Sequence, residues 1–365
     1  MRNPRLRSRG VTLACAGLAL AVAGRLAGEV PSLGEWHRAF VLPQVAAIQQ
    51  LASGSLVSTM GEPLAVVAVV FAVAALIKWR RRAVGAVIFG TGFLVFLFYV
   101  AWGTAYDYPP LASRLAPVPA PSDTGELVRR TEQTARFIAL AAAGLPPVRQ
   151  LKGEDVLARS NAALTQGFAA LPSGIEAAPV HEQVFGPAKI SRVSWALSRL
   201  QLSGYYFPWT GEAQINGDMP LSLWPRVAAH EKAHQRGFAR ENEATVVGLL
   251  ACLASADPFV RYAAGLGLFA AFDRDLARVD PEARGAIWES LPARATDDLR
   301  AEVAFWKRFD GPAAVVSERV NDTYLKTQGV RSGVASYGET TRLLLQAMET
   351  PGLPLRARLD GETLR

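Results

Sequence analysis

A chain of 365 residues that is 50% hydrophobic and carries a formal net charge of +7, with a positive mean hydropathy, argues against a wholly soluble protein and for a membrane anchor joined to a globular domain. Two cysteines, Cys15 and Cys252, exclude a disulfide framework and a cysteine metal site. Arg2, Arg5, Arg7, Arg9, Lys78, Arg80, Arg81 and Arg82 more than account for the net charge, so the remainder is close to neutral and no nucleic-acid partner is expected.

Three apolar runs come first. Val11 to Gly24 is apolar, with Arg25 able to snorkel at its far end; it reads as a span over roughly residues 11–28, with a secretory signal peptide as the alternative. Leu64 to Ile77 is short and crosses if the helix also uses Leu56 to Met60 and carries Glu62 near its outer end, giving a second span over roughly 57–78. From Ala83 to Trp102 twenty residues pass without a charge, enough at about 1.5 Å per residue to cover a hydrocarbon core of roughly 30 Å. Cations precede the first run and separate the second from the third, so both segments are expected on the cytoplasmic side. Three crossings satisfy both and place everything after Gly103 outside. Residues 1–103 thus read as the anchor, with the lipid bilayer as partner.

Tyr108-Pro-Pro and the Pro117 to Pro121 stretch make residues 104–124 a stiff Pro-rich connector. A domain is expected over 125–350, followed by a tail over 351–365. Apolar residues recur at helical intervals through Leu127 to Leu145, Val156 to Leu171, Val193 to Leu202, Val246 to Leu253, Phe259 to Phe272, Ala301 to Phe309 and Thr340 to Met348. The fold class is therefore mainly α. Asp257, Pro258 and Arg261 interrupt the stretch from Val246 to Phe272, which predicts two helices with a turn rather than a fourth span. Tyr205 to Trp209, Ala213 to Ile215 and the turn signal Asn216-Gly217 predict a small hairpin or sheet just before residue 230. An exposed edge there can accept a peptide as an added strand; an ordinary surface hairpin reads equally well.

The most specific signal is His230-Glu231-Lys232-Ala233-His234, in a chain with only four histidines. Pro225 suits a first helical turn, and the HExxH spacing then sets both imidazoles on one face, about 6 Å apart along the axis. Both can reach one zinc ion, while Glu231 beside them does not ligate and is the expected general base. Glu241 follows His234 by seven residues, about 10 Å further along a continuous helix. The helix must therefore break for Glu241 to serve, and Gly237 is a natural C-cap from which a second helix, starting at Glu241, can fold back. Glu243 competes for the third ligand position and His181 is a more distant candidate. The glutamate that does not ligate is expected to orient one that does.

Gly204 to Ala213, Asn216 to Pro220, His230 to Ala244 (HEKAHQRGFARENEA), Trp102-Gly103, Tyr324 to Lys326 and Gly333 to Tyr337 together resemble a family of bacterial membrane proteins of unknown function. The resemblance spans nearly the whole chain and implies a location in the bacterial inner membrane. Within it, HExxH followed by Glu-x-Glu-Ala is similar to the gluzincin pattern of membrane-associated zinc peptidases, which implies a zincin-like domain with Glu241 as third ligand. Thr245 stands where that pattern has Asn or Asp, and the spacer from His234 to Glu241 is shorter than in many gluzincins.

Tyr337 and Tyr324 can donate to a developing oxyanion or serve as buried tyrosines satisfying helix backbone. Glu212 and Asn216 can bind substrate backbone or cap the hairpin. The expectation is a membrane-anchored zinc metallohydrolase, a peptidase taking a peptide or protein substrate, with catalytic Glu231 and Tyr337 and metal ligands His230, His234 and Glu241 or Glu243. A non-catalytic zinc-binding scaffold or inactive relative, and a zinc amidase acting on cell-wall material, are the alternatives.

Overall fold

The computed structural model describes residues 4–56, 58–117, 124–147, 150–178, 185–328 and 339–361. His181 and Tyr337 lie outside the described residues. The chain forms two compact units. Unit 1 takes in Met1–Tyr108 with Ala177–Gly186 and Phe207–Glu212, and unit 2 takes in the rest.

Unit 1 runs through α1 (Pro4–Gly28), α2 (Pro31–Trp36), α3 (Leu42–Gln49), α4 (Gly61–Trp79) and α5 (Arg81–Ala101). Wide π turns, His37–Val41 and Gln50–Gly54, flank α3. Among the described residues, three stretches are long and apolar enough to cross a membrane: Gly10–Gly28, Gly61–Trp79 and Ala83–Ala101. The second starts at Gly61, so Glu62 falls in the first turn of α4, where the positive end of the helix dipole favours a carboxylate. Glu212 finishes that helix start by accepting from the backbone N–H groups of Met60 (2.8 Å) and Gly61 (2.6 Å). Its role is thus a cap, on α4 rather than on the hairpin.

Helices α1 and α5 pack along a glycine seam. A β-carbon at Gly85 would enter the backbone of Gly10, and one at Gly92 the backbone of Gly17. At Gly24 the neighbours are Phe96 and Tyr99. Contacts advance in the same direction on both helices, so α1 and α5 are parallel, with small residues letting the backbones approach closely. Just past the seam Arg25 meets both Glu29 (3.3 Å) and Asp107 (3.6 Å).

Unit 2 contains α6 (Thr124–Ala142), α7 (Gly153–Ala169), β1 (Lys189–Ile190), α8 (Ser194–Arg199), most of β2 (Gly204–Phe207) and β3 (Glu212–Ile215), α9 (Trp224–Gln235) and α10 (Glu241–Ala254). It continues through α11 (Pro258–Val279), α12 (Pro281–Ser290), α13 (Ala293–Lys307), α14 (Pro312–Thr327), α15 (Glu339–Glu349) and α16 (Pro354–Leu359). Helix α10 is the hub, packed against α7, α9, α11, α15 and α16, with Leu250, Leu253, Phe269, Phe272 and Leu164 fully buried around it. The stretch from Val246 to Phe272 is two helices, as the charges at its centre imply. Asp257 caps α11 by accepting from Phe259 (2.9 Å) and Val260 (3.0 Å), and Pro258 occupies the first turn.

Among the described residues the sheet has three strands in the order β1-β3-β2, with Lys189 opposite Gln214 and Ile190 opposite Ile215 in a parallel pair. The anticipated hairpin is therefore one part of a mixed sheet. Asn216 holds the turn after β3: its amide donates to Ser198 Oγ (3.0 Å) and the Leu202 carbonyl (3.2 Å), and its oxygen accepts from the Asp218 N–H (3.0 Å).

Candidate metal centre

Helix α9 starts with Pro225 in its first turn and is buried along nearly its whole length. Ala228, Ala229 and Ala233 are fully enclosed, which lets α10 approach closely. A β-carbon at Gly248 on α10 would stand 2.9 Å from the Ala229 carbonyl carbon and the His230 nitrogen. Gly237, at φ 87°, ends α9. The Phe238 N–H bonds the Ala233 carbonyl (3.2 Å) and the Gly237 N–H the His234 carbonyl (3.0 Å), the two bonds of a glycine-terminated helix end. The chain then reverses and α10 begins at Glu241.

This reversal brings three side chains together. One ligand atom from each of His230, His234 and Glu241 lies within 4.8 Å of the others. Glu241 Oε2 is 3.1 Å from His230 Nε2 and Glu241 Oε1 is 3.9 Å from His234 Nε2. The imidazole rings stand perpendicular, with centroids 4.7 Å apart. Donors held about 2.0–2.1 Å from one tetrahedral ion are about 3.3 Å apart, a value these two separations bracket.

Each imidazole is oriented from behind. His234 Nδ1–H donates to the Phe238 carbonyl (2.7 Å), so the turn that ends α9 also aims this ring. His230 Nδ1 faces Thr245 Oγ1 at 3.1 Å. With Nδ1 engaged, Nε2 is the atom presented to the cluster. Thr245 thus bonds a cluster histidine from the position where the gluzincin-like pattern carries Asn or Asp. Its spacing of four from Glu241 on one helix face is the signal that points to it.

Charge at the cluster is strongly organised. Burial lowers the His234 imidazole to about 4, with Glu241 opposing the shift, so that ring is neutral near pH 7. Burial disfavours ionisation of Glu241, but the hydrogen bond from His230 and the two imidazole charges outweigh it and hold the carboxyl at about 2. His230 is raised: burial lowers it, and Glu241 and Glu231 together more than reverse this. A carboxylate that draws positive charge onto its neighbour marks a place where a cation is favoured.

Glu231 lies beside the cluster and outside it. Burial, with help from Glu241 and against His230, pushes its carboxyl up to about 8. The residue is only 3% exposed, and Oε2 is buried with no hydrogen-bond partner among the described residues. Strand β2 starts against it: a β-carbon at Gly204 would stand 2.8 Å from Glu231 Oε1 and 2.5 Å from the Gln214 carbonyl oxygen. Gly204 bears on the site only through this three-dimensional approach, and nothing local in the sequence marks it.

Glu243 takes another course. Its Oε1 accepts from the Leu111 N–H (2.9 Å) and from Arg240 (3.1 Å), fastening the segment around Leu111 to α10. Two positions on a helix differ by about 200° in direction, so Glu241 and Glu243 face opposite ways. Tyr324 lies near the C-terminal end of α14.

A largely helical domain that gathers two histidines and a glutamate from consecutive helices, in a chain with three membrane-length apolar helices, defines the general class. Residues 39–345 match the family described as "Protein of unknown function (DUF3810)", and the chain belongs to that family. No curated protein and no solved structure matches it.

Proposed function

We propose that this chain is a membrane-anchored zinc metallopeptidase in which His230, His234 and Glu241 hold the metal and Glu231 is the general base. The observation that carries the reading is the buried Oε2 of Glu231, without a hydrogen-bond partner among the described residues, beside three converging donors. A buried carboxylate without a partner is costly, and such sites keep it where chemistry needs a proton acceptor. Bound zinc supplies a Lewis acid that polarises a carbonyl and acidifies a water. Glu231 would take the proton from the attacking water and deliver it to the leaving amine. Thr245 and the Phe238 carbonyl keep the two imidazoles aimed.

A structural zinc site is closed by four protein ligands, whereas a catalytic one keeps a position open. Three donors converge among the described residues, which supports the catalytic reading over a scaffold. Strand β2 starts against Glu231, and the substrate we propose is an extended peptide.

The topology we propose has three spans with the N-terminus and Lys78 to Arg82 in the cytoplasm and the domain beyond residue 124 outside the bacterial inner membrane. Parallel α1 and α5, each preceded by cations, support it. A reporter fused after Arg365 tests it: activity only as an extracytoplasmic enzyme is expected, and activity only in the cytoplasm overturns it.

The function is tested on the full chain in detergent, with an unfolded protein and, separately, purified peptidoglycan as substrates, beside Glu231→Gln. Cleavage of the protein that disappears in the variant is expected. Cleavage that persists unchanged in Glu231→Gln, or cleavage of peptidoglycan alone, overturns the peptidase reading.

A further inference from the structure

Residues 31–54 join the end of α1 to the start of α4 and are helical almost throughout. Pro43 cannot donate its helical hydrogen bond, and the helix widens to π turns on either side of α3. The segment exposes large apolar side chains that a helix of a soluble protein would bury. Its inner face buries Leu42 and Ala46 together with polar side chains that are hydrogen-bonded within unit 1. His37 lies between the Tyr108 hydroxyl (2.7 Å) and the Val100 carbonyl (2.7 Å), Gln49 donates to the Pro208 carbonyl (2.5 Å), and Ser53 donates to the Thr210 carbonyl (2.7 Å). Its outer face carries Trp36, Phe40, Ile48 and Leu51 at 56%, 63%, 65% and 85% exposure.

In water that outer face is unfavourable, because exposing Trp36, Phe40, Ile48 and Leu51 forfeits the hydrophobic gain of burying them. Beside lipid it is favourable. Both ends of the segment are fixed by sequence: α1 ends at Gly28 and α4 starts at Gly61, so the helical stretch between them is tied to the membrane face by each end. The charges fit a shallow depth. Glu35 and Arg38 pair with each other at 2.9 Å next to Trp36, a combination that suits the headgroup level and not the hydrocarbon core.

We infer that residues 31–54 lie in the membrane interface as an amphipathic helix, with Trp36, Phe40, Ile48 and Leu51 inserted among the acyl chains of the bilayer that the spans cross. This rests on reading α1 and α4 as spans. The insertion depth is that of an interfacial helix, about 5–10 Å below the headgroup boundary.

The test uses the full chain carrying Cys15→Ala and Cys252→Ala, with single nitroxide labels at Phe40→Cys, Ile48→Cys or Val69→Cys, in vesicles of phosphatidylcholine and phosphatidylglycerol. The three positions are exposed, so the labels leave packing undisturbed. Labels at 40 and 48 are expected to collide more with oxygen than with a water-soluble nickel chelate, and the label at 69, midway along α4, more strongly so. If 69 is deep while 40 and 48 are fully open to the chelate, the interfacial helix is wrong and the spans stand. If 69 is also open to the chelate, the spanning reading has failed and this inference falls with it. Spin–spin broadening at 40 and 48 that vanishes on dilution with unlabelled protein assigns the face to a second copy and overturns the lipid contact.

Discussion

Replacing Thr245 with valine removes one oxygen and keeps the side-chain shape, so it isolates the bond between Oγ1 and His230 Nδ1 at 3.1 Å. The His230 side chain is only 20% exposed, and valine leaves its N–H facing a methyl group. An unmatched buried donor costs about 1–3 kcal/mol. Loss of an outer hydrogen bond to a metal-binding histidine lowers metal affinity about 10–100-fold, or about 1.4–2.8 kcal/mol. The two ranges coincide, which sets the expected effect. Zinc affinity is measured on the full chain by competition with a chromophoric chelator, with thermal melting as the check on folding. Thr245→Val is expected to bind zinc about 10–100-fold more weakly, with the metal-free protein still folded and its melting temperature lowered by a few degrees. Thr245→Asp, which restores an acceptor, is expected to bind more tightly than Thr245→Val. Affinity within twofold of wild type in a folded Thr245→Val, or Thr245→Asp weaker than Thr245→Val, would refute the reasoning.

Gly237→Ala places a β-carbon at φ 87°, a left-handed conformation that costs a non-glycine residue about 1–2 kcal/mol; the melting temperature is expected to fall and zinc to be held less tightly, because the same turn aims His234. Retained stability and affinity together would count against that role. Gly204→Ala drives a methyl into Glu231 and the Gln214 carbonyl, so zinc is expected to stay while turnover drops about 100-fold, the scale of an ångström-sized misplacement; a fall in KM-dependent binding alone would contradict it. Gly92→Leu wedges α1 from α5 at Gly17, and a crosslink between cysteines placed at Gly24 and Phe96, where a β-carbon at Gly24 stands 3.4 Å from the Phe96 α-carbon, is expected to form in the parent and fail in the variant.

Features that depend on neighbours in sequence were legible. The HExxH helix, its end at Gly237 and a second helix from Glu241 follow from spacing of three and four residues and one glycine. The choice between Glu241 and Glu243 was not, since both sit in the first turn of α10 and only the crossing of α9 and α10 decides which meets the histidines. Thr245 stood out as a departure from a pattern before its bond to His230 gave it a role. Strand β1 is two residues long, too short for any alternation to register. The helices of residues 31–54 were hidden because Pro31, Gly34 and Pro43 read as breakers and the apolar face points outward. His37 illustrates the difficulty. It is buried through partners at Val100 and Tyr108, more than sixty residues away.

The central claim is that His230, His234 and Glu241 hold one zinc ion next to a base that does not ligate it. Zinc stoichiometry of the purified full chain by mass spectrometry of the metal tests this most directly, with His234→Ala and Glu231→Gln alongside. One zinc per chain is expected in the wild type and in Glu231→Gln, and loss of zinc in His234→Ala. A folded wild type without zinc, or zinc fully retained in His234→Ala, would contradict it.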